Sequence, residues 1–164
     1  MLGIDPGLRG TGFGLLRQEG DDLSVLEFGA ISTEPALPVA ERLHQLFTAI
    51  AGLIEAWRPA EVVVEEAFVG ANKRVAVAMG EARGAVLLAA AQRGLPVFEY
   101  TAAEVKRAVA GYGRADKAQV QAMVRLQLGL PEDPQPDHAA DALAAALCHI
   151  LCRRTALLVE ASIP

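Results

Sequence analysis

The chain has 164 residues, 52% of them hydrophobic, and no Pro-, Ser- or Gly-rich linker divides it, so we expect one domain with a substantial core. It shows no run of about 18 uncharged apolar residues and no signal-peptide pattern at its start, which argues against a membrane-spanning or secreted class and predicts a cytoplasmic protein. The net charge of -5 argues against a surface that attracts nucleic acid everywhere.

The first half of the chain predicts four strands and one helix. Residues 2–5, 11–17 and 24–33 have strand-like apolar spacing and are separated by Gly-rich or Asp-Asp turns, which predicts an antiparallel meander. Helical spacing follows over residues 38–57, where an Arg-Pro pair ends the helix. The β-branched run 61–65 then predicts a strand that is covered on both faces.

The second half is mostly helical. An alanine-rich pattern predicts a long helix over residues 73–93, which a Gly-Leu-Pro sequence ends before a fifth strand at 97–100. Two shorter helices are predicted near 102–109 and 116–128, and a last helix begins near residue 137, after three prolines.

This order of elements predicts an α/β fold, a mixed five-stranded sheet flanked by helices on both faces. The first and fourth strands are expected to be neighbours. Their acidic ends, Asp5 and Glu65, would then meet at one edge of the sheet.

Asp5 ends the first strand and enters a turn in which Gly7, Gly10 and Gly12 allow close approach of backbone and ligand. A carboxylate at that place is suited to hold a divalent metal. Asp-Pro-Gly is also ordinary turn chemistry, so a turn role is the simpler explanation of Asp5 taken by itself, and this motif alone does not decide between the two.

The start of the last helix carries the remaining polar groups, Asp137, His138 and Asp141. His138 and Asp141 are three residues apart and therefore share a helix face. Helix capping also explains Asp137, and a surface or capping role also explains His138. If Asp5, Glu65, His138 and Asp141 converge, their charge repulsion favours bound Mg²⁺ or Mn²⁺, and two such ions suit phosphodiester hydrolysis.

Charge is unevenly distributed along the chain. Residues 73–125 carry nine basic and four acidic residues, a net +5, and include all three lysines, whereas the remainder is strongly acidic. A basic surface beside an acidic metal site is what an enzyme that acts on nucleic acid requires. Solvated helix faces explain the same charges, so both interpretations stay open here.

Four segments of the chain carry a family resemblance. They are Gly3-Ile4-Asp5-Pro6-Gly7, Val64-Glu65-Glu66-Ala67-Phe68, Ala115-Asp116-Lys117-Ala118-Gln119-Val120 and His138-Ala139-Ala140-Asp141-Ala142-Leu143-Ala144. Together they resemble the bacterial RuvC Holliday junction resolvases, and the resemblance covers nearly all of residues 2–153. It implies an RNase H-like fold, with residues 1–154 as the single nuclease domain and 155–164 as a C-terminal tail. It also implies a homodimer that makes paired symmetric nicks in four-way junction DNA, leaving 5'-phosphate and 3'-hydroxyl ends, and handover from the RuvA and RuvB branch-migration proteins.

The resemblance also implies which residues carry the chemistry. Asp5, Glu65 and Asp141 match the family's catalytic carboxylates, and His138 stands where many members have aspartate. These four are the predicted catalytic residues and the predicted ligands of two Mg²⁺ or Mn²⁺ ions, with Asp137 as a reserve ligand. The predicted DNA-binding residues are Phe68, as an aromatic wedge, and Lys73, Arg74, Lys106 and Lys117, as phosphate contacts. For Phe68, burial of a loop residue in the core is an equally good interpretation.

Three other functions compete with this interpretation. The Asp-Pro-Gly turn also resembles the first phosphate loop of the actin, Hsp70 and sugar-kinase group, but those proteins need a second such domain. A noncatalytic junction-binding protein of the same fold is a further alternative. An RNase H that cuts RNA in hybrids shares the same metal chemistry.

Overall fold

We analysed a computed structural model, which describes residues 1–66 and 73–161. Within these residues the chain forms five strands and five helices, and every predicted element is present with ends shifted by a few residues at most. In chain order they are β1 (Leu2–Asp5), β2 (Gly10–Glu19), β3 (Asp22–Ser32), α1 (Val39–Trp57), β4 (Val62–Glu65), α2 (Lys73–Gln92), β5 (Val97–Tyr100), α3 (Ala102–Ala110), α4 (Lys117–Gln127) and α5 (Asp137–Ala161).

The five strands form one mixed sheet in the order β3-β2-β1-β4-β5. The first three strands are an antiparallel meander, whereas β4 runs parallel to both β1 and β5. Ile4 lies opposite Val64 in the β1–β4 ladder, so the next residue of each strand ends at the same edge of the sheet. The prediction that Asp5 and Glu65 share an edge is confirmed.

Helices cover both faces of the sheet, as the sequence predicted. On one face α1 and α2 pack over β1, β2 and β4, and they bury Leu46, Ile50 and Val86 against the strands. On the other face α5 lies directly on the sheet, with α3 and α4 packed around it and Leu143 and Leu147 fully buried. The predicted α/β class, a mixed five-stranded sheet flanked by helices on both faces, is therefore confirmed.

Glycines in the first two strands let α5 approach the sheet closely. A Cβ atom added at Gly12 would overlap the carbonyl oxygen of His138, and one added at Gly3 would overlap that of Ala142. At Gly14 it would lie 2.6 Å from the Cδ2 atom of Leu143. Because these strand positions lack side chains, the first turns of α5 reach the sheet edge where Asp5 lies.

Helix α5 continues to Ala161, so residues 155–161 of the predicted C-terminal tail are helical. Among the described residues, α2 is the one helix that is long and apolar enough to cross a membrane by length and composition. Glu81 and Arg83 lie in its middle, where a bilayer would penalise charge strongly. The exposed side of α2 carries the apolar side chains of Val77 and Leu88.

Candidate active site

Three predicted metal ligands meet at the edge of the sheet. Asp5, His138 and Asp141 each offer a ligand atom, and these atoms all lie within 4.8 Å of one another. The Oδ2 atom of Asp5 is 2.7 Å from Nδ1 of His138. The Asp5 side chain is 16% exposed, against 52% for His138 and 29% for Asp141. The cluster is therefore open to solvent on one side and anchored in the sheet on the other.

The start of α5 explains how two of the three residues reach the cluster. Asp137 follows Pro136, whose carbonyl accepts a hydrogen bond from the Ala139 amide at 2.8 Å and so closes the first turn. Ala139, Ala140 and their buried successors hold this turn on the sheet. His138 and Asp141 then lie one helical turn apart on the face beside Asp5.

The carboxylates repel one another in a partly dry environment. Burial raises the pKa of Asp5, and Asp141 raises it further, although the hydrogen bond with His138 opposes the change. Burial first, and then repulsion by Asp5 and Asp141, raises the pKa of Glu65 to about 7. A bound divalent cation would relieve both costs, since an opposite charge favours the ionised form of a carboxylate.

Glu65 is not one of the three residues whose ligand atoms lie within 4.8 Å of one another, but Asp5 and Asp141 act on it electrostatically. It ends β4 opposite Tyr100 of β5, and the amide of Glu66 donates a hydrogen bond to the Tyr100 carbonyl at 2.8 Å. The ladder thus fixes the backbone on both sides of Glu65. Lys106 of α3 and Lys117 oppose the rise in its pKa, which locates both ammonium groups within electrostatic reach of the cluster.

Lys117 contacts the cluster directly. Its Nζ atom lies 3.1 Å from Oδ2 of Asp141 and 3.2 Å from Oδ2 of Asp137. Partial burial lowers the pKa of Lys117, but its hydrogen bonds to Asp141 and Asp137 outweigh that effect and raise it. Asp116 caps α4 with a capping box to Gln119 and so fixes Lys117 at the first position of the helix. This explains the Asp-Lys pair of the third sequence motif.

Asp137, the reserve ligand, contacts Lys117 and Gln121 through its side chain. Its second oxygen, Oδ1, accepts a hydrogen bond from Nε2 of Gln121 at 3.1 Å. The hydrogen bonds from Lys117 and then Gln121 lower the pKa of Asp137, and the residue is outside the Asp5–His138–Asp141 group. Its position supports a role in holding Lys117.

A groove of about 1100 Å³ extends from the cluster to the start of α2. Asp5 and His138 line it near the cluster, and Lys73 and Arg74 line it at the start of α2. Phe68, the predicted aromatic wedge, lies outside the described residues.

Two arginines in the same groove, Arg9 and Arg42, were missed by the sequence interpretation. Arg9 had a usable signal, because it is a basic residue between Gly7 and Gly10, in the turn that follows Asp5. Arg42 had none, because it falls in an ordinary helical pattern.

The chain matches one protein family along most of its length. The family model described as "Crossover junction endodeoxyribonuclease RuvC" matches residues 1–149. A protein of that name from Pelotomaculum thermopropionicum is 51% identical over 149 residues, which cover 91% of each chain.

Solved structures agree with the family match. The structure titled "T. thermophilus RuvC in complex with Holliday junction substrate" is similar with a TM-score of 0.89 and 40% identity, over 94% of each chain. The yeast mitochondrial Holliday junction resolvase Ydc2 shares the fold, with a TM-score of 0.66 and 15% identity over 93% of this chain and 79% of its own.

Proposed function

The chain belongs to the RuvC family of crossover junction endodeoxyribonucleases, and we propose that it resolves four-way DNA junctions by paired symmetric nicks, with the cluster around Asp5 as its active site. The observation that carries this proposal is the convergence of Asp5, His138 and Asp141 within 4.8 Å, beside Glu65, whose pKa the carboxylates of Asp5 and Asp141 help to raise. A structural role for these residues does not explain why repelling carboxylates are gathered at one exposed edge.

The donor set fits divalent metal ions. It offers three carboxylates, which suit Mg²⁺ and Mn²⁺, and one imidazole, which favours Mn²⁺ over Mg²⁺. Asp5, His138 and Asp141, together with Glu65, would hold the ions. When bound, the ions would supply activation of a water molecule and stabilisation of the leaving 3' oxygen.

The remaining residues bind and orient the DNA. Lys106 and Lys117 place positive charge beside the cluster, where it would attract the scissile phosphate. Lys73, Arg74 and Arg9 line the adjoining groove and would hold the backbone of the same strand. Hydrolysis in this arrangement leaves a 5'-phosphate and a 3'-hydroxyl and needs no covalent intermediate with the protein.

Two symmetric nicks need two active sites, and we propose that a second copy supplies the other across α2. Val77 and Leu88 are each 61% exposed. Gly80 and Gly84 lie between them on the same helix face, and a Cβ at either would meet open space. An apolar stripe with small residues at its centre suits close packing of two identical helices.

The same proposal sets the cellular context. Family members act in DNA recombination and repair, and we expect this protein to work in the cytoplasm on junctions delivered by RuvA and RuvB. Cleavage of a bare junction tests the proposed nuclease reaction apart from these partners.

The test is cleavage of a labelled synthetic four-way junction with Mg²⁺ or Mn²⁺, beside a linear duplex and an RNA–DNA hybrid. Paired symmetric nicks confined to the junction, and lost in Asp5→Asn, are the expected result. Binding without cleavage in either metal would favour a noncatalytic junction-binding protein. Preferential cleavage of the hybrid would favour an RNase H.

A further inference from the structure

The turn after β1 is held by a closed ring of hydrogen bonds. The carbonyl of Leu8 accepts one from Oγ1 of Thr33 at 2.6 Å and one from Nη2 of Arg42 at 3.0 Å. Nε of Arg42 also donates to Oγ1 of Thr33, at 2.9 Å. Because arginine only donates, the Thr33 hydroxyl must accept from Arg42 and direct its own proton to Leu8. The donor and the acceptor of each hydrogen bond in the ring are therefore fixed.

Hydrogen bonds to Thr11 also hold the other side of the turn. The Thr11 hydroxyl donates to the Gly7 carbonyl at 2.8 Å and accepts from the Gly7 amide at 3.2 Å. Thr11 is fully buried and Thr33 is 5% exposed, so water competes little for either hydroxyl. The turn is thus fixed between β2 on one side and the start of α1 on the other.

This turn lies between two residues that adjoin His138. Asp5 precedes it directly, and its carboxylate contacts His138 at 2.7 Å. Gly10 follows it, and a Cβ there would lie 3.3 Å from the His138 ring. A displacement of the turn would therefore move Asp5 relative to His138.

We propose that Arg42 is a positioning residue that, through Thr33 and Leu8, holds the Asp5 carboxylate in the geometry needed to bind metal. The inference rests on the proposed metal-dependent nuclease function and deepens it. Arg42 also faces the groove, so the competing interpretation is a direct contact between its guanidinium and DNA.

The chemistry of the ring defines the variants. Arg42→Lys keeps the positive charge but loses the planar fork that reaches Thr33 and Leu8 together. Thr33→Val keeps the shape of the side chain and removes the hydroxyl, whereas Thr33→Ser keeps the hydroxyl and provides the conservative rescue. If the ring positions Asp5, the first two variants should behave alike and the third should resemble the wild type.

Arg154 provides a matched control. Its Nη2 atom donates to the carbonyl of Asp21 at 2.6 Å, in the turn between β2 and β3. That turn is at the opposite end of β2 from Asp5. Arg154→Lys therefore removes the same kind of arginine–carbonyl contact without touching the metal cluster.

The experiment is calorimetric titration of the DNA-free protein with Mn²⁺, followed by kcat and KM for junction cleavage. We expect Arg42→Lys and Thr33→Val to weaken Mn²⁺ binding roughly tenfold and to lower kcat roughly 10- to 100-fold, with KM changed less than about twofold. Thr33→Ser and Arg154→Lys should stay within about threefold of the wild type on all three quantities.

Two results would overturn the proposal. One is unchanged Mn²⁺ affinity in a folded Arg42→Lys protein, and the other is a rise in KM alone, which would indicate direct DNA contact. Circular dichroism checks the fold, and Thr33→Val repeats the test if Arg42→Lys does not fold. Failure of the wild-type protein to bind Mn²⁺ would instead refute the proposed function itself.

Discussion

Asp5 and His138 are 133 positions apart in the chain, yet the carboxylate oxygen of one lies 2.7 Å from the ring nitrogen of the other. The contact joins the end of β1 to the first turn of α5. It also counters the rise in the Asp5 pKa that burial produces. The nitrogen donor of this pair is the feature that should set the metal preference of the site.

Replacing His138 by Asp should shift the metal preference from Mn²⁺ towards Mg²⁺, because an oxygen ligand replaces a nitrogen ligand. We expect the ratio of cleavage rates in Mn²⁺ and Mg²⁺ to fall by roughly fivefold or more. Asp137→Asn is the control, since Asp137 is paired with Lys117 and Gln121. An equal fall in that variant would show that the ratio does not report ligation by His138.

Glu65 should make the metal-free protein less stable as the pH rises. Its pKa is raised from 4.5 to about 7, so the folded state binds its proton more tightly than the unfolded state. The resulting stabilisation is complete below about pH 4.5 and is lost as the pH rises through about 7, with a magnitude on the order of 3 kcal/mol.

Urea unfolding in EDTA, from pH 4.5 to 8, measures this effect. The difference in unfolding free energy between wild type and Glu65→Gln should favour the wild type more at low pH than at high pH, since glutamine does not titrate. At high pH, Mn²⁺ should stabilise the wild type relative to Glu65→Gln and so weaken the pH dependence of the difference, because it binds the ionised carboxylate. A difference that is independent of pH would contradict the raised pKa.

The order of elements and the shared edge of Asp5 and Glu65 were predictable because they rest on local patterns and parallel pairing. Strand β3 and its partner β2 extend further into the hairpin than predicted, since Glu19 pairs with Asp22 although neither side chain is buried. The contacts of Asp137 with Lys117 were not predictable. They depend on how α4 packs beside α5, and spacing within one helix carries no information about that packing.

The hydrogen-bonded ring of Leu8, Thr33 and Arg42 was likewise not predictable, because it depends on how separate elements pack together. Its members come from a turn, a strand end and a helix, and Leu8 contributes only a backbone carbonyl. A carbonyl leaves no residue-type signal in the sequence. Positioning contacts of this kind emerge only from tertiary structure.

His149 should make the protein lose stability in acid. It is 1% exposed, its Nδ1 atom is bonded to the Tyr100 hydroxyl at 2.7 Å, and burial lowers its pKa below 6.5. The unfolded state therefore binds the proton more readily. Stability is complete above about pH 6.5 and is lost as the pH falls through the lower pKa of the folded state.

The slope of unfolding free energy against pH, between about pH 5 and 7, checks this expectation. The slope should be less positive in His149→Leu than in the wild type, whatever the substitution does to the stability itself. Both proteins are measured with Glu65→Gln, which removes the opposite pH dependence of Glu65. An equal slope in the two proteins would assign the acid sensitivity to another group.

Two glycine-to-alanine substitutions should change the free energy of unfolding in opposite directions. Gly12→Ala places a Cβ against the His138 carbonyl. We therefore expect the free energy of unfolding to fall by about 2 kcal/mol or more and His138 to be displaced from Asp5. Gly52→Ala adds a Cβ in open space within α1 and should stabilise by about 0.5 to 1 kcal/mol. Thermal unfolding and Mn²⁺ affinity measure the two effects. Normal Mn²⁺ affinity in Gly12→Ala would show that α5 tolerates a larger gap from the sheet.

A charge on the exposed face of α2 should separate the proposed dimer. Leu88 is 61% exposed on the stripe that also contains Gly84, and Leu88→Glu would place two carboxylates against each other across a symmetric interface. We expect sedimentation equilibrium to show a monomer, and junction cleavage to give single nicks in place of paired ones.

Leu126→Glu, at a residue that is 72% exposed on α4, is the control and should stay dimeric. Because each chain keeps its own cluster of Asp5, His138 and Asp141, Mn²⁺ affinity per chain should not change in either variant. A dimeric Leu88→Glu protein that still makes paired nicks would move the interface to another surface.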